Sequence, residues 1–195
     1  MVNEIPLLGL GTWKIPKPQA KEVVYRSIKE LNIRHIDCAS DYGNEKEVGE
    51  GIKQAIDEGV VKREDLWITS KLWNTYHKEE HVLPACQKSL QDLQLTYFDL
   101  YLVHFPIALK YVPFEERYPP EWIHDPKGLN KIELANDAPL HLTWKAMEQL
   151  VYGGLTRHIG VANFNTQLLM DLVSYAKISP YLNQIEVHPY NTQEA

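Results

Sequence analysis

Short apolar runs alternate along the chain with stretches whose apolar residues recur at helical spacing. A run at Leu7–Leu10 ends in the turn Gly9-Leu10-Gly11. After Pro16 and Pro18, residues Gln19–Leu31 put Val23, Val24, Ser27, Ile28 and Leu31 on one face, which predicts an amphipathic helix. His35–Ala39 reads as a strand, and Glu45–Glu58 as a helix through Val48, Ile52, Ala55 and Ile56, ended by Gly59. A strand at Leu66–Ser70, a helix at Glu79–Leu93 and a strand at Phe98–Val103 repeat the cycle. The pattern stops from Phe105 to about Pro139, a charged and proline-rich stretch. Loops of that length are uncommon in compact domains and are often functional. A helix at Leu142–Tyr152, a Gly153-Gly154 turn, a strand at His158–Ala162, a helix at Gln167–Ala176 and a strand at Leu182–Val187 follow.

Strands that recur about every 30 residues with helices between them imply parallel pairing through crossover connections. The expected class is α/β with a parallel sheet. An open flavodoxin-like sheet and a (β/α)8 barrel both fit the pattern. The six strands are two short of a closed barrel, which usually takes about 250 residues. A length of 195 residues suits one domain, 1–195.

Hydrophobic residues make up 44% of the chain and charged residues 24%, ordinary for a globular protein. The net charge of -6 argues against a nucleic-acid partner or an anionic membrane surface. Cys38 and Cys86 lie far apart, which fits a reducing, cytoplasmic setting and offers no metal framework. No apolar run approaches the roughly 20 residues of a membrane span, and the acidic start does not read as a signal peptide.

Polar groups collect where strands end. Asp37, Asp41 and Tyr42 follow the second strand, Lys71 the third, His104 the fourth, Asn163 the fifth and His188 the sixth. In a parallel α/β protein these positions share the carboxyl rim of the sheet, where active sites lie. There an acid, a phenol, an amine and an imidazole from three successive strands come within reach of one another. An ammonium beside a tyrosine favours tyrosinate and lowers its pKa; a paired carboxylate keeps the ammonium charged; a histidine orients a carbonyl oxygen. Such a set suits protonation of an alkoxide formed by hydride transfer. Each residue also has an ordinary structural role: Lys71 with Asp37 as a buried ion pair, Tyr42 as a loop aromatic, His104 as a strand-end residue.

Other motifs carry less. Gly9-x-Gly11 lacks the third glycine of a dinucleotide fingerprint. Tyr25-x-x-x-Lys29 mimics a dehydrogenase pair but sits in a predicted surface helix. His104 and His188 have no Cys/His cluster around them, and no G-x-S-x-G occurs.

Taken together, Gly9-Leu10-Gly11-Thr12-Trp13-Lys14, Asp37-x-Ala39-x-x-Tyr42-Gly43-Asn44-Glu45, Thr69-Ser70-Lys71-Leu72-Trp73, Leu102-Val103-His104-Phe105-Pro106, Gly160-Val161-Ala162-Asn163-Phe164 and Asn183-Gln184-Ile185-Glu186-x-His188-Pro189-Tyr190 resemble the aldo-keto reductases, in order and in spacing. The segments Asp41–Gly49 and Phe114–Pro120 are most similar to the xylose reductase branch of the aldose reductases. The resemblance implies a (β/α)8 barrel, NADPH or NADH as cofactor, and reduction of a small-molecule aldehyde such as open-chain xylose to its alditol. It assigns Tyr42 as proton donor, Asp37 and Lys71 as its tuning pair and His104 as the group that orients the carbonyl. Trp13, Asp41, Trp73 and His104 would line the substrate pocket. Asn163 and Gln184 would hold the nicotinamide carboxamide, with Gly11, Thr12 and Asp37 also against the cofactor. A monomer or homodimer is implied.

Two departures from the family pattern stand out. Ala162 occupies the place of a usual serine, and the sequence ends at Ala195, soon after the sixth strand. The resemblance therefore implies an incomplete barrel that lacks about its last third. The expected function is NAD(P)H-dependent aldehyde reduction. The alternatives are a truncated, non-catalytic member serving as a cofactor-binding or scaffold module, and a metal-dependent barrel hydrolase.

Overall fold

The computed structural model describes residues 4–123, 127 and 132–194. Six parallel strands form one sheet in the unbroken order β1 (Leu10–Gly11), β2 (His35–Asp37), β3 (Trp67–Leu72), β4 (Phe98–Val103), β5 (Thr156–Ala162) and β6 (Asn183–Gln184). Between them run α1 (Lys17–Glu30), α2 (Glu45–Asp57), α3 (Glu79–Asp92), α4 (Leu140–Tyr152) and α5 (Thr166–Tyr175). A doubly wound open sheet reverses its strand order at a switch point. Here each strand pairs with its successor, so the sheet is the curled wall of an incomplete (β/α)8 barrel.

Local chemistry explains most boundaries. Pro18 falls in the first turn of α1, where its missing N–H costs nothing. Glu45 and Glu47 open α2 at the positive end of its dipole, and Gly59 ends it with φ at +70°. Asn165 caps α5 by accepting from the Leu168 N–H at 2.9 Å. Two glycines of α2 are sites of close approach. A Cβ on Gly49 would stand 2.6 Å from the Leu93 backbone, and one on Gly51 2.5 Å from the Lys21 carbonyl.

Two cores result. Between sheet and helices lie Ile36, Ile68, Leu72, Tyr101, Val103, Ile159 and Val161, packed on Val24, Ile28, Val48, Ile52, Val82 and Met147. Inside the barrel wall is a smaller cluster of Trp67, Leu100, Leu102 and Ala162. Strand alternation puts Thr69 and Lys71 on the same inner face as Trp67. The His35 ring lies 3.2 Å from Thr69 Oγ1, one layer beneath Asp37 and Lys71.

At the amino ends of the strands, Asp99 of β4 has no exposed side-chain surface. Its Oδ2 accepts from Arg63 at 2.8 Å and from the Ile68 N–H at 2.9 Å, and its Oδ1 accepts from Arg157 at 2.9 Å. Both guanidinium groups also stand over the Tyr97 ring, at 4.0 and 4.5 Å.

Several expectations need correction. The apolar run at Leu7–Leu10 contributes only Leu10 to β1, and Leu7 and Leu8 are exposed. The last strand shortens from Leu182–Val187 to Asn183–Gln184, with Ile185 and Val187 exposed. Both strands have a single neighbour, so fewer ladder hydrogen bonds hold their ends extended. Leu31 is 70% exposed, because α1 ends one residue before it. Between β4 and α4, the described residues hold turns and one bridge, Leu109 to Leu134; residues 124–126 and 128–131 of that stretch lie outside the description. Both cysteines are buried free thiols.

Candidate active site

The carboxyl ends of the strands bring the predicted groups together. After β2 the chain passes through an extended Ala39 into a tight turn at Ser40–Tyr42, closed by Gly43 with φ at +70°. That turn carries Tyr42 back over the rim toward Lys71 of β3. Lys71 is 1% exposed, and its Nζ donates to Asp37 Oδ1 at 2.5 Å, the Cys38 carbonyl at 2.8 Å and the Tyr42 hydroxyl oxygen at 3.2 Å. An ammonium has three protons, and here each has an acceptor. A buried cation is tolerated only under that condition. The His104 ring meets the Tyr42 ring edge-on, centroids 5.8 Å apart.

The electrostatics keep each group in a definite state. Burial pulls the Lys71 pKa down, but Asp37 and Tyr42 outweigh it and the net shift is upward, so the ammonium stays charged. Burial drives the His104 imidazole down to about 3, with help from Lys71 and His77, so the ring is neutral at physiological pH. Its Nδ1 is buried without a partner among the described residues. For Tyr42 the expected downward shift is overturned. Lys71 does pull down, but burial is the larger effect and the phenol ends above its ordinary value. Tyr42 is therefore held as the protonated phenol.

Around this cluster the cofactor and substrate candidates divide. Gly11 borders the open interior beside Asp37 and Gln184, and a Cβ on it would meet nothing within 4 Å. Thr12 is fully buried; both its N–H and its hydroxyl donate to the Asp37 carbonyl at 3.0 Å, so its side chain serves the fold. Asn163, at φ +63°, donates its amide to the His104 carbonyl at 2.9 Å. Gln184 donates to Asp37 Oδ2 at 2.8 Å. Trp13 is exposed, with its ring 6.5 Å from Tyr42. Trp73 is buried, edge-on to His104 at 5.2 Å, and its indole N–H donates to the Glu121 carbonyl at 3.0 Å. Burial, with Glu121 nearby, raises the Asp41 carboxyl to about 7. His188 stands apart from the rim cluster, bonded to Glu186 at 2.7 Å.

Three residues at the site had no role assigned from sequence. Trp122 of the long loop packs edge-on against Trp73 at 5.1 Å, although nothing in that loop's pattern points to it. Asn44 is 1% exposed and donates to the Thr12 and Ile15 carbonyls at 2.9 and 3.0 Å. Glu45 is buried and accepts from two serine hydroxyls. Polar residues directly after a glycine turn were the available signal for this pair.

Amides at Asn163 and Gln184 offer the donor and acceptor pattern that a carboxamide needs. The residues present thus fit the nicotinamide end of a dinucleotide.

The aldo/keto reductase family profile matches residues 7–195. A probable NAD(P)H-dependent D-xylose reductase of Aspergillus clavatus is 53% identical over 191 residues, 98% of this chain and 56% of that protein. The 4-dihydromethyl-trisporate dehydrogenase of Mucor mucedo is 49% identical over 193 residues, 98% of this chain and 59% of that protein. Among solved structures, the aldose reductase of Giardia lamblia superposes with a TM-score of 0.85 at 43% identity, covering 97% of this chain and 60% of its own. A Bombyx mori aldo-keto reductase in complex with NADP gives 0.83 at 41% identity, over 98% and 58%. The chain thus spans less than two thirds of the length of these relatives. A sequential parallel barrel wall, the rim cluster and a family match along nearly its whole length place this chain in the aldo/keto reductase family.

Proposed function

We propose that residues 1–195 form the main part of one barrel domain, and that the protein reduces small aldehydes, open-chain aldoses such as xylose among them, to alcohols at the expense of NADPH or NADH. The observation that carries this reading is the Lys71 ammonium bound at once to Asp37 and to the Tyr42 hydroxyl, with a neutral His104 beside the phenol.

Bound at the rim, a reduced nicotinamide supplies a hydride. Asn163 and Gln184 would hold its carboxamide, with the backbone at Gly11 against it. The chain's own residues manage the oxygen. Because His104 Nδ1 is buried, Nε2 is the nitrogen assigned to the substrate; in the Nε2–H tautomer it donates to the carbonyl oxygen and fixes its direction. Tyr42 then gives its proton to that oxygen as it becomes an alkoxide, a far stronger base than a phenolate. The phenolate left behind lies 3.2 Å from the Lys71 ammonium, whose charge Asp37 holds in place. Trp13, Trp73 and Asp41 would border the rest of the substrate.

Purified protein incubated with NADPH and D-xylose should consume the cofactor and form xylitol in equal amounts. Absence of turnover with xylose and with a panel of simpler aldehydes, while NADPH binds, would favour a non-catalytic cofactor-binding role.

A further inference from the structure

We infer that Glu45 is a positioning residue for this site: its buried carboxylate ties the turn that carries Tyr42 to the strand that carries Lys71. The inference rests on the reading of Tyr42 and Lys71 given above.

Glu45 lies three residues after Tyr42, at the first position of α2, and is 3% exposed. Its Oε1 accepts from the Ser70 hydroxyl at 2.6 Å and its Oε2 from the Ser89 hydroxyl at 2.8 Å. Ser70 is fully buried on β3 and directly precedes Lys71; Ser89 is fully buried on α3. One side chain thus joins three elements beneath the rim. Its neighbour Asn44, on the same side of the turn, is tied to the Thr12 and Ile15 carbonyls. The turn needs such anchors, because among the described residues the phenol hydroxyl is held by one hydrogen bond, the 3.2 Å contact with the ammonium. A charged group kept where water is excluded is costly, so a leucine or methionine would serve packing better. What the carboxylate adds is direction, since two hydroxyls on different elements fix both of its oxygens. Burial also raises the Glu45 carboxyl to about 7; in the protonated form it still accepts at one oxygen and donates at the other, so the tether survives either state.

The test separates placement from general damage. The Tyr42 resonance is followed in protein labelled at the tyrosine ζ carbon and assigned by its loss in Tyr42→Phe; the Asp37→Asn, Lys71→Met double variant gives the position for a phenol without its ammonium. Glu45→Ala should move the resonance toward that position, while lowering kcat roughly tenfold or more with KM for the cofactor nearly unchanged, as expected for a misplaced acid. Glu45→Gln, which keeps the two-ended hydrogen bonding, should restore most of the lost turnover. Should Glu45→Ala fail to fold, Ser70→Ala decides, with a smaller movement of the resonance in the same direction. An unmoved resonance in a folded Glu45→Ala protein, or in Ser70→Ala where the first does not fold, overturns the inference, as does a Glu45→Gln protein no better than Glu45→Ala. If the unmodified protein reduces no aldehyde, the proposed function fails, and the resonance still decides whether Glu45 places Tyr42.

Discussion

Gln184 on β6 reaches across the barrel interior to Asp37 on β2, 147 positions away in sequence, and donates to its Oδ2 at 2.8 Å. The other oxygen, Oδ1, holds Lys71. Asp37 therefore connects the side of the site proposed to donate the proton to the side proposed to hold the cofactor. A carboxylate shared in this way is fixed in rotation, which keeps the ammonium aimed at Tyr42.

Removing the phenol hydroxyl tests the proton donor most directly. Tyr42→Phe should lower kcat by about 10²–10⁴-fold, the usual contribution of a general acid, while leaving NADPH affinity near that of the unmodified protein. Retention of more than about a tenth of kcat would assign the donor elsewhere.

Lys71 is buried and pairs with a part-buried Asp37, so Lys71→Met alone leaves that carboxylate without its cation and costs up to about 3 kcal/mol in stability. The double variant Asp37→Asn, Lys71→Met should melt near the unmodified protein but remain inactive. A double variant that regains both stability and turnover shows the pair to be structural only.

Stability should carry a signature of Glu45. Burial raises its carboxyl from 4.5 to about 7. Between those values the folded state holds more protons than the unfolded one, so the stability contributed by this group is present at low pH and lost as pH rises. Relative to the unmodified protein, Glu45→Gln should gain on the order of 3 kcal/mol between pH 4.5 and 8, read from urea melts at each pH. A difference independent of pH means that the carboxyl titrates normally.

Close helix packing sets another limit. Gly49→Ala would force a methyl group to 2.6 Å from the Leu93 backbone, which has no flexible end to move aside. The expected loss is about 1–3 kcal/mol. A melt unchanged by the substitution would mean that α2 can shift away from the end of α3.

A polypeptide of these 195 residues, purified alone, presents β1 and β6 each with one edge unpaired among the described residues. Open edges invite association, and Ile185, Val187, Leu7 and Leu8 are exposed close to them. Sedimentation should show self-association, and NADPH binding should be at least about 100-fold weaker than in a longer form that closes the barrel, about 2.7 kcal/mol. A monodisperse monomer that binds NADPH at low micromolar concentration would defeat this expectation.

Where hydrophobic periodicity dominated, the sequence was readable. β4 runs over Phe98–Val103 as its six buried residues require, and α2 begins at Glu45 as its spacing implies. The rim cluster was legible because strand ends of a parallel sheet share one side, so Asp37, Lys71 and His104 could be grouped without coordinates. Three things were not legible. The ends of β1 and β6 depend on pairing partners, which apolarity alone does not specify. The protonation of Tyr42 depends on how deeply the turn is buried, and burial outweighed the ammonium. The Gln184 bridge joins distant positions through side chains alone, and no spacing rule reaches that far.

The Asp99 cluster gives the barrel wall a division of labour. One carboxylate receives Arg63 from ahead of β3, the Ile68 N–H within it and Arg157 from β5, so three neighbouring strands share a common footing. Ends held in this way need little from the opposite rim to stay in register. Residues at the opposite rim can therefore be substituted without loosening the wall. Substitution at Asp99 would be felt as a loss of structure throughout, well beyond the end of the wall on which it stands.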